Sequence, residues 1–304
     1  MFRVCVRFAT ISAMTTTKRL PTWLKQQRQK SNATRNLSKL LEKEVPNSIC
    51  QEAKCPNRGE CFAKGMLTFL VLGTVCTRNC AFCSVRHGHP MPPDLGEVQQ
   101  ILDAIERLSL RFVVLTSPNR DDLPDGGASH YATIVNGIHQ QYPDVKVEVL
   151  IPDFQGKTQD IEIVMASRPD VINHNLETVP SLYRGIRKGS LYQRSLDVLK
   201  FVKDREPKTL TKTGIMLGLG ETHDELIQTF KDIKKMNVDN LTLGQYLKPG
   251  KDNADVVKYY KPDEFESYKK IAEDLGIRYV FSGPFVRSSY LAEHVFEDAL
   301  SVPI

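Results

Sequence analysis

The stretch LTFLVLGTVCTRNCAFC (Leu67–Cys83) joins an apolar run to three cysteines spaced C-x3-C-x2-C. Leu67–Leu72 contains Leu, Thr, Phe and Val with little alternation, the pattern of a strand buried on both faces. Further runs of the same kind follow at Phe112–Thr116, Val145–Ile151, Val171–Asn173, Thr213–Leu217, Asn240–Tyr246 and Arg278–Phe281. Helical patterns lie between them. Thr222 and Glu225 form a T-x-x-E capping box, followed by Leu226, Ile227, Phe230 and Ile233 at helical spacing. Pro262 suits a first helical turn, Phe265, Tyr268, Ile271, Ala272 and Leu275 give one apolar face, and Gly276 ends it.

Six or seven strand–helix units in series predict an α/β fold whose parallel sheet rolls into a full or partial barrel. An open doubly wound sheet is the alternative, but no G-x-G-x-x-G fingerprint opens it. Chemistry in such barrels sits at the C-terminal ends of the strands. Polar groups gather there: Asn119 to Asp122, Asn173 to Asn175 with Glu177, Gly218 to Glu221, and Gln245 with Tyr246. The competing reading is ordinary loop polarity.

Six of the seven cysteines fall in two triplets, Cys50, Cys55, Cys61 and Cys76, Cys80, Cys83. Three thiolates are one short of a closed site, and a cubane held by three cysteines keeps one iron for other chemistry. Disulfides suit short secreted chains rather than 304 residues with seven cysteines. Structural zinc prefers paired C-x2-C knuckles, and only Cys80 and Cys83 have that spacing. His87 and His89 form an H-x-H that reads as a loop pair unless a third ligand joins it. Cys5 lies far away in a polar tail.

The formal charge of +5 is local. Residues 1–41 hold nine basic residues and no acid; removing those nine from the 41 Lys and Arg leaves 32 against 36 Asp and Glu. The body is therefore slightly acidic and not built for nucleic acid. The basic arm has three readings: a solvated tail, an electrostatic dock for an acidic partner, or an organellar presequence over residues 1 to about 19. Met14 is an alternative start. No run approaches the length of a membrane span, and no secretory h-region is present.

A C-x3-C-x2-C after the first strand, with strand–helix repeats behind it, resembles the signature of radical S-adenosylmethionine (SAM) enzymes. CQEAKCPNRGEC, TSPNRDDLPDGGASHY, NHNLETVPSLY, GIMLGLGET, GQYLKP and GPFVRSSY are similar to blocks of the lipoyl synthase family, from about Leu20 to Tyr290. The resemblance implies a partial (β/α)6-type TIM barrel of the radical SAM kind with N- and C-terminal extensions. The expected divisions are a basic arm (1–41), an auxiliary-cluster segment (42–64), the barrel (65–282) and a C-terminal segment (283–304). It implies two 4Fe-4S clusters and SAM as cofactors. Cys76, Cys80 and Cys83 would hold the SAM-cleaving cluster. Cys50, Cys55 and Cys61, with Ser289 through oxygen, would hold an auxiliary cluster consumed as sulfur donor. Asn119, Asn175, Glu177 and Arg194 would contact SAM, Glu177 at ribose hydroxyls and Arg194 at a carboxylate; they could equally satisfy one another across the barrel mouth. The implied reaction inserts sulfur at C6 and C8 of a protein-bound octanoyl chain.

Implied partners are octanoylated lipoyl domains of 2-oxoacid dehydrogenase E2, the glycine-cleavage H protein, a ferredoxin or flavodoxin reductant and an iron–sulfur carrier, with no nucleic acid and no membrane. Another radical SAM sulfur-inserting enzyme and a non-enzymatic iron–sulfur or zinc protein remain as alternatives. The chain departs from the family at Leu291 and Ala292 after R-S-S-Y, at Thr213, at TSPN and in RHGHPMPPD. The 15-residue step from Cys61 to Cys76 resembles the bacterial form, implying a cytoplasmic enzyme; a mitochondrial one is the alternative if the arm is a presequence.

Overall fold

Each apolar run expected to be a strand is one. A computed structural model describes residues 20–25, 48–52, 57 and 67–289. Seven parallel strands form one sheet in chain order: β1 (Thr68–Leu70), β2 (Phe112–Thr116), β3 (Lys146–Leu150), β4 (Val171–Asn173), β5 (Leu210–Leu217), β6 (Asn240–Gln245) and β7 (Tyr279–Gly283). Six helices alternate with them: α1 (Glu97–Leu108), α2 (Ala128–Gln141), α3 (Thr158–Ala166), α4 (Tyr192–Arg205), α5 (His223–Lys235) and α6 (Pro262–Asp274). Strand order follows chain order because each helix carries the chain to the next parallel position, and β1 and β7 remain the edges. This is the (β/α)6 arrangement, an open curved sheet rather than a closed ring among the described residues.

β1, β2, β4 and β6 are buried at every residue, as the unalternating runs require, while the edge strand β7 is mostly half-buried. The outer face packs on the helices. Val113, Leu115, Val147 and Val149 meet α1–α3, while Ile215, Leu241, Leu243 and Val280 meet α5 and α6. The capping box forms at α5: Thr222 Oγ1 accepts from Glu225 N at 3.3 Å, and Glu225 Oε2 accepts from Thr222 N at 2.8 Å. Pro262 opens α6, and Gly276 takes the left-handed conformation (φ 91°) just beyond it.

The barrel interior is polar beneath the strand ends. Lys212 Nζ on β5 reaches Glu148 Oε2 on β3 at 3.0 Å, both side chains being almost wholly buried. Asn173 Nδ2 on β4 donates to Glu148 Oε1 at 2.8 Å. β5 therefore begins at Leu210, three residues before the expected Thr213, since Lys212 belongs to the interior and Thr211 bonds Asp239. Within the arm, Trp23 Nε1 donates to Tyr260 O at 3.1 Å and Leu24 is buried, so residues 20–25 are seated on the barrel.

Candidate active site at the strand ends

The cysteine loop leaves β1 through a left-handed turn at Leu72 and Gly73 (φ 66° and 87°). A two-residue pairing of Val75–Cys76 with Arg86–His87 ties its base, reinforced by Gly88 N to Cys76 O at 2.9 Å. Neighbouring loops clasp it. Ala81 N donates to Ile186 O at 2.8 Å, Ala254 N to Ala81 O at 2.7 Å, and Asn253 Nδ2 to Cys83 O at 2.8 Å. Arg78, between Cys76 and Cys80, forks onto Asp121 (2.7 and 2.8 Å) and onto Asp153 (2.6 and 3.0 Å) and reaches Ser190 Oγ. Burial works to raise the Asp153 carboxyl, but Arg78 beside it holds it at about 2.

Cys76, Cys80 and Cys83 are free thiols on the wall of one cavity of about 280 Å³. Backbone amides point at two of them: Cys76 Sγ lies 3.3 Å from Arg78 N and 3.3 Å from Asn119 N, and Cys83 Sγ lies 3.4 Å from Val85 N. Burial pushes the Cys80 thiol up to about 12 and the Cys83 thiol up to about 11, the Val85 amide opposing the second shift. Desolvation disfavours the Cys80 and Cys83 thiolates unless positive charge joins them, and with Cys76 in the same cavity the donor set fits iron. Among the described residues no three His, Cys, Asp or Glu side chains meet around a single ion point. A cubane places each cysteine on a different iron and asks instead for three thiols spread around a cavity.

The opposite wall comes from the ends of β4 to β6. Asn175 Nδ2 donates to Glu177 Oε1 at 3.1 Å, and Asn175 Oδ1 is buried with no partner among the described residues. Glu177 holds the left-handed region (φ 68°) where its amide bonds Gly214 O and its carbonyl accepts from Met216 N, a strained conformation for a non-glycine residue. Burial raises its carboxyl, with Arg187 working against it. Arg187 is fixed by Tyr183 Oη (2.9 Å) and Ser195 Oγ (2.8 Å), and its Nη2 lies 3.4 Å from His174 Nε2. His174 Nδ1 faces Ile151 O at 2.8 Å, which makes Nδ1 the protonated nitrogen and leaves Nε2 to accept from Arg187. Gly214 leaves the floor open: a Cβ there would stand 2.7 Å from Thr242 Oγ1 and 2.9 Å from Asn175 Oδ1.

The radical SAM superfamily profile matches residues 70–233. A protein of Caldanaerobacter subterraneus subsp. tengcongensis named lipoyl synthase is 48% identical over 91% of this chain and 97% of its own length. A lipoyl synthase of Rubrobacter xylanophilus is 45% identical over 92% of this chain and 87% of its own. The chain belongs to the lipoyl synthase family of radical SAM enzymes. Solved structures share the fold at low identity. Streptococcus suis SuiB bound to the precursor peptide SuiA has a TM-score of 0.56 at 11% identity, over 82% of this chain and 52% of that one. Methylornithine synthase (PylB) has 0.52 at 12% identity, over 82% and 81%.

Membership of the lipoyl synthase family carries a 4Fe-4S cluster and SAM with it. The structure brings Cys76, Cys80, Cys83, Asn119, Asn175 and Glu177 to one cavity. Arg194 is not on that wall; it lies on α4 with Nη1 3.4 Å from Asp153. Arg187 lies there instead, a residue the sequence reading did not select, although its charge in the turn after N-H-N-L-E was a usable signal. Ser288 lines the cavity, whereas Ser289, the next residue, is half-buried and is not part of its wall. Cys50 lies in the helical turn Ile49–Glu52, while Cys55 and Cys61 fall outside the described residues. His87 and His89 are exposed, with His87 Nε2 3.5 Å from Asn79 Nδ2. Among the described residues no helix is long and apolar enough to cross a membrane.

Proposed function

We propose that the chain inserts two sulfur atoms, at C6 and C8 of a protein-bound octanoyl chain, with a second 4Fe-4S cluster as the sulfur donor. The observation that carries this reading is the cavity, where three cysteine thiols face Asn175, Glu177 and Arg187 in a chain 45–48% identical to lipoyl synthases over about nine-tenths of its length. Bound SAM and a reduced cluster supply a carbon radical strong enough to take hydrogen from an unactivated carbon.

The chain's own residues bind, orient and exclude water. Cys76, Cys80 and Cys83 hold the SAM-cleaving cluster. Glu177 and Asn175 take the ribose hydroxyls, the unpartnered Asn175 Oδ1 being an acceptor in waiting. Asn119 stands beside Cys76. Arg187, with its geometry already fixed, takes the SAM carboxylate in place of Arg194. Leu70, Leu150 and Met216 give the cavity an apolar side suited to an alkyl chain. Cys50, Cys55, Cys61 and Ser289 hold the sacrificial cluster.

The substrates in this reading are octanoylated E2 lipoyl domains and the glycine-cleavage H protein, and an iron–sulfur carrier rebuilds the spent cluster. The short step from Cys61 to Cys76 supports a bacterial cytoplasmic setting. An anaerobic single-turnover assay with SAM, dithionite and an octanoyl-lysine peptide tests it. Mono- and dithiolated peptide with 5′-deoxyadenosine is the expected result. Cys55→Ala is expected to keep some 5′-deoxyadenosine formation and make no dithiolane; dithiolane from that variant would refute the donor role.

A further inference from the structure

The turn Ile186–Ser190 covers the cysteine loop from outside the cavity. Ile186 O accepts from Ala81 N, Lys188 O lies 4.0 Å from Cys80 Sγ, and Ser190 Oγ accepts from Arg78. Gly189 presses on the same arginine, for a Cβ there would lie 3.2 Å from Arg78 Cδ. Beyond the turn is a shallow polar depression that includes Asn79, Gln155, Lys188 and Arg194 and shares only Arg78 and Asn79 with the cavity. The cysteine loop is thus the wall between them. A molecule resting on Lys188 stands one residue's thickness from a cysteine thiol, without entering the space for SAM and substrate.

The surface of this turn is basic. From Thr178 to Leu196 the chain has four basic residues and no acidic one. Arg187 faces the cavity, but the side chains of Arg184 and Lys188 are exposed and form no hydrogen bond or ion pair with described residues. Arg194 shares its one acid, Asp153, with Arg78. Four acids of neighbouring elements lie close by, and each is engaged: Asp121 by Arg78, Asp197 by Gln193, Asp232 by Tyr192 and Glu225 by Ser181. Among these cations stands Leu191, 58% exposed. An exposed leucine that follows the unpaired Arg184 and Lys188 in the chain, with Arg194 one turn beyond, suits a small, short-lived interface with an acidic protein, since electron-transfer encounters bury little area and depend on charge for their rate.

We propose that the Arg184–Arg194 surface docks an acidic one-electron carrier protein of the ferredoxin or flavodoxin kind, with Leu191 at the centre and Arg184, Lys188 and Arg194 around it. The inference rests on the radical SAM reading, whose chemistry consumes one electron for each SAM cleaved. Each docking delivers one electron beside Cys80, and the carrier leaves oxidised by one electron.

The test uses the cluster-loaded full chain, an Arg184→Glu/Lys188→Glu double variant and a Leu191→Asp variant, with flavodoxin as the probe. Two quantities are measured: the affinity of oxidised flavodoxin, read from flavin fluorescence, and 5′-deoxyadenosine formed with reduced flavodoxin or with dithionite. In both variants affinity and flavodoxin-driven cleavage are expected to fall at least about tenfold, with dithionite-driven cleavage within about twofold of the parent. The parent's affinity falls with salt and the double variant's does not. Unchanged binding and unchanged flavodoxin-driven cleavage would overturn the proposal. Equal loss with both reductants would also overturn it, by placing these residues in the SAM site. Failure on an octanoylated lipoyl domain but not on an octanoyl peptide, both with dithionite, would assign the face to the substrate carrier instead. Absence of dithionite-driven cleavage in the parent would fail the radical SAM reading, which the affinity measurement does not use.

Discussion

Arg187 shows how a single side chain is prepared before its ligand arrives. Tyr183, Ser195 and His174 fix the guanidinium, so its partner loses little freedom in meeting it. Arg187→Lys keeps the charge but loses the fork; the KM for SAM is expected to rise about tenfold, with a smaller change in kcat, in a cleavage assay. His174 is the residue behind it. Burial, then the Arg187 charge, pushes its imidazole down to about 3 from the ordinary 6.5. The folded state thus keeps His174 neutral where the unfolded chain takes up a proton. Its contribution to stability is complete above pH 6.5 and declines as pH falls from there toward 3, by up to about 1.4 kcal/mol per pH unit. His174→Gln is expected to flatten that slope between pH 6.5 and 5, read from urea midpoints; an unchanged slope would show that other groups set it. The sequence made Asn175 and Glu177 visible because they follow a strand end directly. Arg187 was visible only as a charge in a turn well beyond β4, since its direction depends on a histidine and a serine brought up by folding. Charge alone pointed equally to Arg194, whose partner proved to be Asp153.

At the scale of elements, the seven strands were legible because parallel strands covered on both faces are continuous apolar runs, which a helix interrupts with polar residues. The polar pair inside the barrel was not legible, because Lys212 and Glu148 sit on different strands and only folding makes them partners. The cysteine loop is legible in its spacing but not in its anchorage. Arg78 ties it to Asp121 after β2 and Asp153 after β3, joining three strand ends through one side chain. Arg78→Met would leave the wholly buried Asp153 carboxylate with only the longer contact to Arg194, and the partly buried Asp121 carboxylate without its cation. The expected cost is about 3–5 kcal/mol, seen as a lowered unfolding midpoint, together with faster loss of visible cluster absorbance to an iron chelator. Arg78→Lys restores charge without the two forks and should fall between the parent and Arg78→Met in both measurements. A chelation rate unmoved by either change would mean that the backbone clasp from Ile186 and Ala254 suffices.

Over the whole molecule, segments far apart in the chain meet at one rim of the sheet. Asn57, between Cys55 and Cys61, donates through Nδ2 to Phe285 O, two residues before Arg287 of R-S-S-Y. Gly244 on β6 makes room for that same strand of chain. It pairs with Gly283 on β7, and a Cβ on it would stand 2.1 Å from Val286 O and 3.1 Å from Arg287 Nη1. The backbone oxygen cannot yield as the tip of a flexible side chain would, so a methyl group here must lift residues 284–287 off the barrel. The cysteine loop is anchored elsewhere, by Arg78, Ile186 and Ala254, and has no direct share in that displacement. Gly244→Ala therefore separates the two clusters of the proposed function. Iron is expected to fall from about eight toward about four per chain. Dithionite-driven 5′-deoxyadenosine formation should persist while dithiolane formation is lost. The proposed Ser289 ligand would then owe its position to a glycine some 45 residues away in the chain. Full iron content with normal dithiolane would show that the C-terminal segment reaches its place without Gly244. Loss of both activities would show that the displaced segment also closes the SAM cavity, where Val286 and Ser288 form part of the wall.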